Sequence, residues 1–398
     1  MVNRPLHAVM GLEPAALTAS LSAALDGTGP ALLPVDPATP APRLRALLGA
    51  LRPDALRTPD GTTALPDPAP TGPGTALVIA TSGSTGTPKG VELSAAALRH
   101  SAAASVRRLG AAPGDAWLCV LPTAHVSGLQ VLLRALVSGG DLLTGGADPA
   151  AALAAAGGRR PHVSLVPTQL RRLLAEGADL SRFGAILVGG AAAGDGLLDA
   201  ARAAGGRVVT TYGMSETCGG CVYDGVPLDG VAVRTDPGGR VLLSGPVLFQ
   251  GYRLDPDRTR AHLAADADGT RWFATGDLGT VGPDGRLRVR GRADDLINTG
   301  GHKVVPGEVA GVLARVGGVA EAVVVGRPDP EWGERVTAVV VPADPADPPT
   351  LERLRAAVRA ELPAYAAPRE LELRAALPLL ASGKPDLAAL RAPGRAQE

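Results

Sequence analysis

Residues 81–90 read TSGSTGTPKG, the densest run of hydroxyl, glycine and lysine chemistry in the chain. Thr81 opens the run, and its glycines, Gly83, Gly86 and Gly90, let the backbone approach an anion closely. Ser82, Ser84, Thr85 and Thr87 offer hydroxyl donors and Lys89 adds a positive charge, so the segment can wrap a polyphosphate. The order is not that of a Walker loop, because Lys89 is followed by Gly90 and the next helix starts only after the N-cap candidate Ser94. A Ser/Gly/Thr linker is the plain alternative, but a lone Lys after a Pro at the end of the run favours the phosphate. Cys218 and Cys221 form a C-x-x-C, yet only Cys119 remains and no second Cys or His pair stands at zinc spacing. They read as two small buried or loop residues.

The elements that must position this chemistry follow from the apolar pattern. ALVIAT, AWLCVL, HVSLVP, GAILVGG and RVVTTYG have strand length and alternate with helical patterns over residues 95–109, 129–138, 168–176 and 195–204. That alternation predicts an α/β domain with parallel sheet character. GRVLLSG and GTVGPDGRLRVRGR, the latter with Asp284-Gly285 at a tight turn, add a β-rich subdomain. Beyond Arg292 the pattern predicts a helix over 306–315, strands over 319–326 and 335–341, a helix over 350–361 and an extended segment over 369–375, with PADPADPP as a surface loop. The first 70 residues, with PVDPATPAP and LPDPAPTGPG, read as a helical lead-in and a linker. The expected fold class is therefore α/β, a large N-terminal lobe of mixed and parallel sheets with helices plus the β-rich subdomain, followed by a small α+β C-terminal lobe. Residues 1–293 and 294–398 are the expected domains.

Composition narrows the functions. The 398 residues carry 39 Lys+Arg against 39 Asp+Glu, and a protein that neutralises nucleic-acid phosphates needs a basic surplus, so no nucleic acid is expected as a partner. Hydrophobic residues at 45% and charged residues at 20% are ordinary for a globular chain, and Gly 52 with Pro 36 promises many turns. Three cysteines make no disulfide framework and the start MVNRPLHAVMGLEPAALTASL lacks a signal-peptide core, so a reducing cytoplasm is expected. The best membrane candidate, GLQVLLRALV, is short and carries Arg134 in its middle, so no transmembrane segment is expected.

Five segments taken in order carry a resemblance. TSGSTGTPKG, YGMSET (212–217), ATGDLG (274–279), GRADDLINTGGHKV (291–304) and LPLLASGKPDLAALR (377–391) occur as in the adenylate-forming acyl-CoA synthetases, and the likeness runs from about residue 75 to residue 391. The chain departs from that family in a shorter first subdomain, which bears on any substrate or dimer contacts made there and leaves a homodimer open. The resemblance implies ATP, Mg2+ and coenzyme A, and a reaction in which an acid carboxylate attacks the α-phosphate before a thiol takes the acyl group. Charge builds at phosphorus and at the acyl oxygen, so fixed cations and donors should dominate catalysis. It further implies Glu216 as the magnesium ligand, Thr211, Tyr212, Gly213 and Ser215 lining the nucleotide and acyl pocket, Asp277 on the ribose hydroxyls and Arg292 on the ribose or phosphate side. Asp294, with Asp295 competing, resembles the hinge of a mobile small lobe. Lys384 resembles the lysine that this lobe inserts for adenylation, and the loop from Thr299 through Gly300, Gly301 and His302 to Lys303 would face the site for thioester formation.

The acid is addressed by LPTAHVSGLQ, which puts His125 where the family borders the acyl pocket and thiol entrance with an aromatic or histidine. Amino-acid-activating relatives hold an acidic residue there, and PTAHVSG has none. With HVSLVPTQLRRLL and AILVGGAAAG the chain is similar to the o-succinylbenzoate-CoA ligases of menaquinone synthesis, which implies Ser164 and Thr168 on a pocket strand and Gly189, Gly190 and Ala191 as a shallow floor for an aromatic ring. The non-reacting carboxylate needs a partner; Arg171 and Arg172 read instead as a solvated helical face. A ligase for another aryl or medium-chain acid, an adenylation domain loading a carrier protein, and a nucleotide-binding module without catalysis are the alternatives. Retention of Lys384, Glu216 and Asp277 together speaks against the last.

Overall fold

Short apolar runs bounded by Gly and Pro become strands here, and the Ala/Leu-rich stretches between them become helices. The structure is a computed structural model that describes residues 4–72, 74–82, 88–380 and 383–392. Contacts divide the chain into two units, the first comprising residues 1–190, 201–233 and 242–274, the second 191–200, 234–241 and 275–398.

The first unit holds two seven-stranded sheets. One runs in the order Gly251–Tyr252, Pro88–Ser94, Thr75–Ser82, Ala31–Val35, Leu6–Met10, Ala55–Thr58, Gly61–Ala64. The other runs Val226–Pro227, Gly219–Tyr223, Val208–Met214, Ile186–Val188, His162–Leu165, Trp117–Cys119, Leu142–Thr144, and its five strands from Val208–Met214 onward are parallel. Helix Ala95–Leu109 begins where Ser94 accepts a hydrogen bond from the Ala97 N–H and ends at Gly110, whose left-handed conformation closes the last turn. Trp117, Tyr223, Phe183 and Phe249 are among the largest fully buried side chains.

The first 70 residues depart from the expected helical lead-in and linker. Leu6–Met10 and Ala31–Val35 pair in parallel, and Ala55–Thr58 with Gly61–Ala64 extends the sheet. Proline in these runs argues locally against a strand, but register leaves Pro34 two residues past the Leu32–Leu77 pair. Burial of Leu6, Ala8, Ala31 and Leu33 then outweighs local propensity.

In the second unit Val319–Asp329 and Gly333–Pro342 form a long antiparallel pair, with Glu370–Leu373 parallel to Gly333–Pro342 on its other side. Helices Pro306–Leu313 and Leu351–Glu361 bury Val309, Val312, Leu313, Leu354 and Val358 with Val324, Val336 and Val340 of the sheet. The later part of strand Arg271–Val281 also belongs to this unit and pairs antiparallel with Leu287–Arg292 around the Asp284-Gly285 turn. Arg327 is 3% exposed and fastens the C-terminal segment by donating to Glu370, Glu372 and the carbonyls of Leu390 and Ala392. No helix among the described residues is long and apolar enough to cross a membrane.

Candidate active site

In the first unit, strands Thr75–Ser82 and Pro88–Ser94 form a hairpin that sets Thr81 opposite Lys89 and Ser82 opposite Pro88. Gly83, Ser84, Thr85 and Gly86 lie outside the described residues. Strand Val208–Met214 carries Thr211, Tyr212 and Gly213 and passes into a single 3-10 turn, Ser215–Thr217, that holds Glu216. The turn is fixed by its own groups: the Met214 N–H donates to Thr217 Oγ1 at 3.0 Å and the Phe249 N–H donates to the Glu216 carbonyl at 2.9 Å. Gly213 packs so close to the Gly219 carbonyl that a side chain would collide with it.

Glu216 is 6% exposed, and a carboxylate that buried must be paired. Lys89 Nζ lies 3.1 Å from Oε1, and the Tyr252 hydroxyl donates to the same oxygen at 2.8 Å. Burial drives the Tyr252 phenol well above its ordinary range, and the Glu216 charge pushes it further. Among the described residues Oε2 accepts no hydrogen bond. No three His, Cys, Asp or Glu side chains among the described residues gather as a metal cage. A lone carboxylate with one oxygen unpaired among the described residues suits magnesium, which keeps its waters and takes most other ligands from phosphates.

The acyl-side candidates divide. Ser164 accepts a hydrogen bond from Arg134 at 3.0 Å, and Thr168 is half-buried in the first turn of helix Pro167–Ala175. Gly189 packs directly against Thr211, where a Cβ would strike the hydroxyl. Gly190 follows it at the end of a segment of the first unit, whereas Ala191 is exposed and belongs to the second. His125 stands at the N-cap position of helix Val126–Ser138 without a side-chain cap hydrogen bond, and the helix's Gly128 packs against the Pro122 carbonyl.

The second unit gathers the remaining polar groups. Asp277 and Arg292 face each other across antiparallel strands, with Arg292 Nη1 3.6 Å from Asp277 Oδ1. Asp277 is 7% exposed and its N–H donates to Thr275 Oγ1. Arg292 also grips Asp294 through two hydrogen bonds, 2.9 and 2.7 Å, which hold that carboxyl below the usual carboxylate range. Lys384 sits on a turn where Leu379 bridges Pro385 and the Leu380 N–H donates to the Lys384 carbonyl at 2.8 Å. Although the residue keeps solvent contact, partial dehydration lowers the ammonium pKa, Arg292 lowers it further and Asp277 opposes. The segment expected as a loop over 299–303 is a hairpin between Ile297–Thr299 and His302–Val304. Gly300 and Gly301 have φ of 55° and 80°, which a two-residue turn of this hand requires.

Sequence reasoning missed two residues. Tyr252 had no signal beyond being an aromatic in a chain with few. Arg134 had one: a lone cation inside an apolar helix, weighed above only against a membrane span. It is 5% exposed, donates to Ser164, leaves Nε without a partner, and has Tyr223 and Cys119 near it but no carboxylate among the described residues. Dehydration lowers its pKa from the ordinary arginine value. The cysteines are all buried; Cys221 is pushed up to about 12 and Cys119 to about 11, so these thiols are inert.

Comparison with known proteins agrees with this layout. A probable 2-succinylbenzoate–CoA ligase of Mycobacterium tuberculosis is 43% identical over 97% of this chain and 97% of its own length. A 2-succinylbenzoate–CoA ligase of Listeria monocytogenes is 32% identical over 78% of this chain and 68% of its own. The structure of o-succinylbenzoate CoA synthetase from Bacillus subtilis, in complex with its acyl-adenylate intermediate, superposes with a TM-score of 0.81 at 25% identity, covering 98% of this chain and 89% of that one. Residues 44–253 match the AMP-binding enzyme family and residues 308–384 its C-terminal domain. The Lys89–Glu216 pair falls inside the first match and Lys384 at the end of the second, and the chain belongs to the AMP-binding enzyme family.

Proposed function

We propose that this protein is an AMP-forming acid:CoA ligase that converts 2-succinylbenzoate, ATP and coenzyme A to the acyl-CoA thioester, AMP and pyrophosphate in the cytoplasm. A carboxylate oxygen of the acid attacks the α-phosphorus and pyrophosphate leaves. The CoA sulfur then attacks the acyl carbon and AMP leaves. Lys89, with Thr81 and the hydroxyl and amide donors of residues 82–86, holds the phosphates; Glu216 would hold Mg2+, which supplies charge neutralisation at the phosphates. Thr211, Tyr212, Gly213 and Ser215 line the nucleotide and acyl pocket, Asp277 accepts from the ribose hydroxyls, and Arg292 donates beside it. Lys384 stabilises the charge on the departing pyrophosphate. Residues 294–398 move as a lobe about Asp294 between the two steps, exchanging Lys384 for the Gly300-Gly301 hairpin. His125 borders the acyl pocket, with Ser164, Thr168, Gly189, Gly190 and Ala191 around the ring.

The observation that carries the choice of acid is Arg134. A buried guanidinium with no carboxylate beside it among the described residues is costly unless something anionic meets it. It bonds Ser164, which is assigned to the acyl pocket, so a substrate with a second carboxylate supplies the missing charge. The names of the relatives at 43% and 32% identity support the same acid. The test is pyrophosphate and AMP release by the purified protein with Mg-ATP and CoA across a panel of mono- and dicarboxylic aryl and medium-chain acids. The reading expects 2-succinylbenzoate to lead by kcat/KM; a monocarboxylic acid in first place sinks the substrate, and no pyrophosphate from any acid sinks the reaction.

A further inference from the structure

The geometry points to Tyr252 as the positioning residue that keeps Glu216 aimed at a nucleotide-bound metal once Lys89 has left for the phosphates. This inference rests on the proposed function only in placing a metal–nucleotide complex at Glu216. Lys89 and Tyr252 share one carboxylate oxygen, at 3.1 and 2.8 Å, and among the described residues no donor takes Oε2. The two donors differ in what they can do next. Lys89 is a flexible side chain whose charge belongs beside phosphate, so an incoming polyphosphate competes for it. With Lys89 gone, the phenol is the one side-chain donor left to Glu216 among the described residues.

Tyr252 is built not to follow. It is 6% exposed, pairs with Val91 in the register between strands Gly251–Tyr252 and Pro88–Ser94, and its N–H donates to Thr259 Oγ1 at 2.8 Å. Its ring meets Phe249 edge-on at 4.9 Å and His262 at 5.8 Å. Phe249 in turn donates its N–H to the Glu216 carbonyl, so the phenol and the backbone of its acceptor are fixed by one cluster. Lys89 Nζ also lies 4.8 Å over the Tyr252 ring, a contact that marks the resting place of the ammonium before nucleotide arrives. Tyr252 acts through Glu216, as outer partners of metal-ligating carboxylates do.

The experiment compares wild type, Tyr252→Phe, Glu216→Gln and the double variant as full-length protein. Binding of Mn2+–ATP is followed by electron paramagnetic resonance, ATP affinity is measured in EDTA, and Tm by calorimetry. Tyr252→Phe keeps the ring packing and is expected to weaken Mn2+–ATP binding roughly tenfold or more, with metal-free ATP affinity and Tm unchanged. In the Glu216→Gln background the same change should add nothing. Equal Mn2+–ATP affinity in wild type and Tyr252→Phe, or an equal loss in both backgrounds, overturns the inference. Wild type that binds no Mn2+–ATP overturns both this inference and the adenylation reading. Should Tyr252→Phe not fold, 3-fluorotyrosine at position 252 keeps ring and hydroxyl. Its fluorine resonance should move when Mg2+ joins ATP in wild type but not with Glu216→Gln, and an unmoved resonance overturns the inference.

Discussion

Replacing Arg134 by methionine separates substrate recognition from folding. The side chain is buried, donates to Ser164 at 3.0 Å, leaves Nε unpaired and faces no carboxylate among the described residues. In the free protein the Ser164 hydroxyl, Tyr223 and the Trp117 ring, 5.6 Å from the guanidinium, offset part of the dehydration of this cation, and an anionic substrate group would supply the countercharge. Truncating one partner of a buried charge pair costs about 2–5 kcal/mol, and about 1.4 kcal/mol is a factor of ten. Arg134→Met should thus lower kcat/KM for 2-succinylbenzoate by roughly 30-fold to several thousandfold. An aryl acid without the second carboxylate loses no such contact and should keep its rate within a few fold. Methionine fills a similar volume without charge, and exchanging a buried ionic group for an apolar one is often neutral or stabilising, so Tm should hold or rise. The assay is pyrophosphate release with both acids, alongside calorimetry. An equal fall with both acids, or an unchanged rate with 2-succinylbenzoate, refutes the role of Arg134; a fall in Tm shows that the guanidinium is structural.

Lys384→Ala should slow adenylation by roughly 10²-fold or more, while supplied acyl-adenylate still reacts with CoA; pyrophosphate exchange and single-turnover thioester formation measure the two steps. Because dehydration and Arg292 lower the Lys384 pKa, its charge is lost as pH rises through a value below 10.5, and the alkaline limb of kcat/KM for adenylation should fall there. Lys384→Arg should remove that limb, and its persistence would assign it to another group. Asp294→Pro should impair thioester formation more than adenylation in the same assays, and an unchanged thioester rate would move the hinge elsewhere. Arg327→Ala removes the buried partner that Glu370 and Glu372 share, leaving Glu370 with Thr337 and Glu372 with Arg374, and should cost about 1.5–3 kcal/mol in urea unfolding. Removing Arg391, whose 2.7 Å pair with Asp295 is partly exposed, should cost under about 1 kcal/mol.

Local pattern determined much of this protein. Helix Ala95–Leu109 with its Ser94 cap, the parallel strands from His162 to Met214 and the alternating order of the C-terminal unit follow from apolar period and turn residues, because each is settled within a few residues of chain. The hairpin strands that carry Thr81 and Lys89 flank the segment that hydroxyl, glycine and lysine spacing had singled out. Tertiary structure decided what depends on partners far away in sequence. The early strands Leu6–Met10 and Ala31–Val35 exist because a buried sheet accepts them, against the proline around them. Tyr252 meets Glu216 across 36 residues and Arg134 meets Ser164 across 30. A charge reads the same in sequence whether water or a buried pocket surrounds it, and only folding sets how much an unpaired one costs.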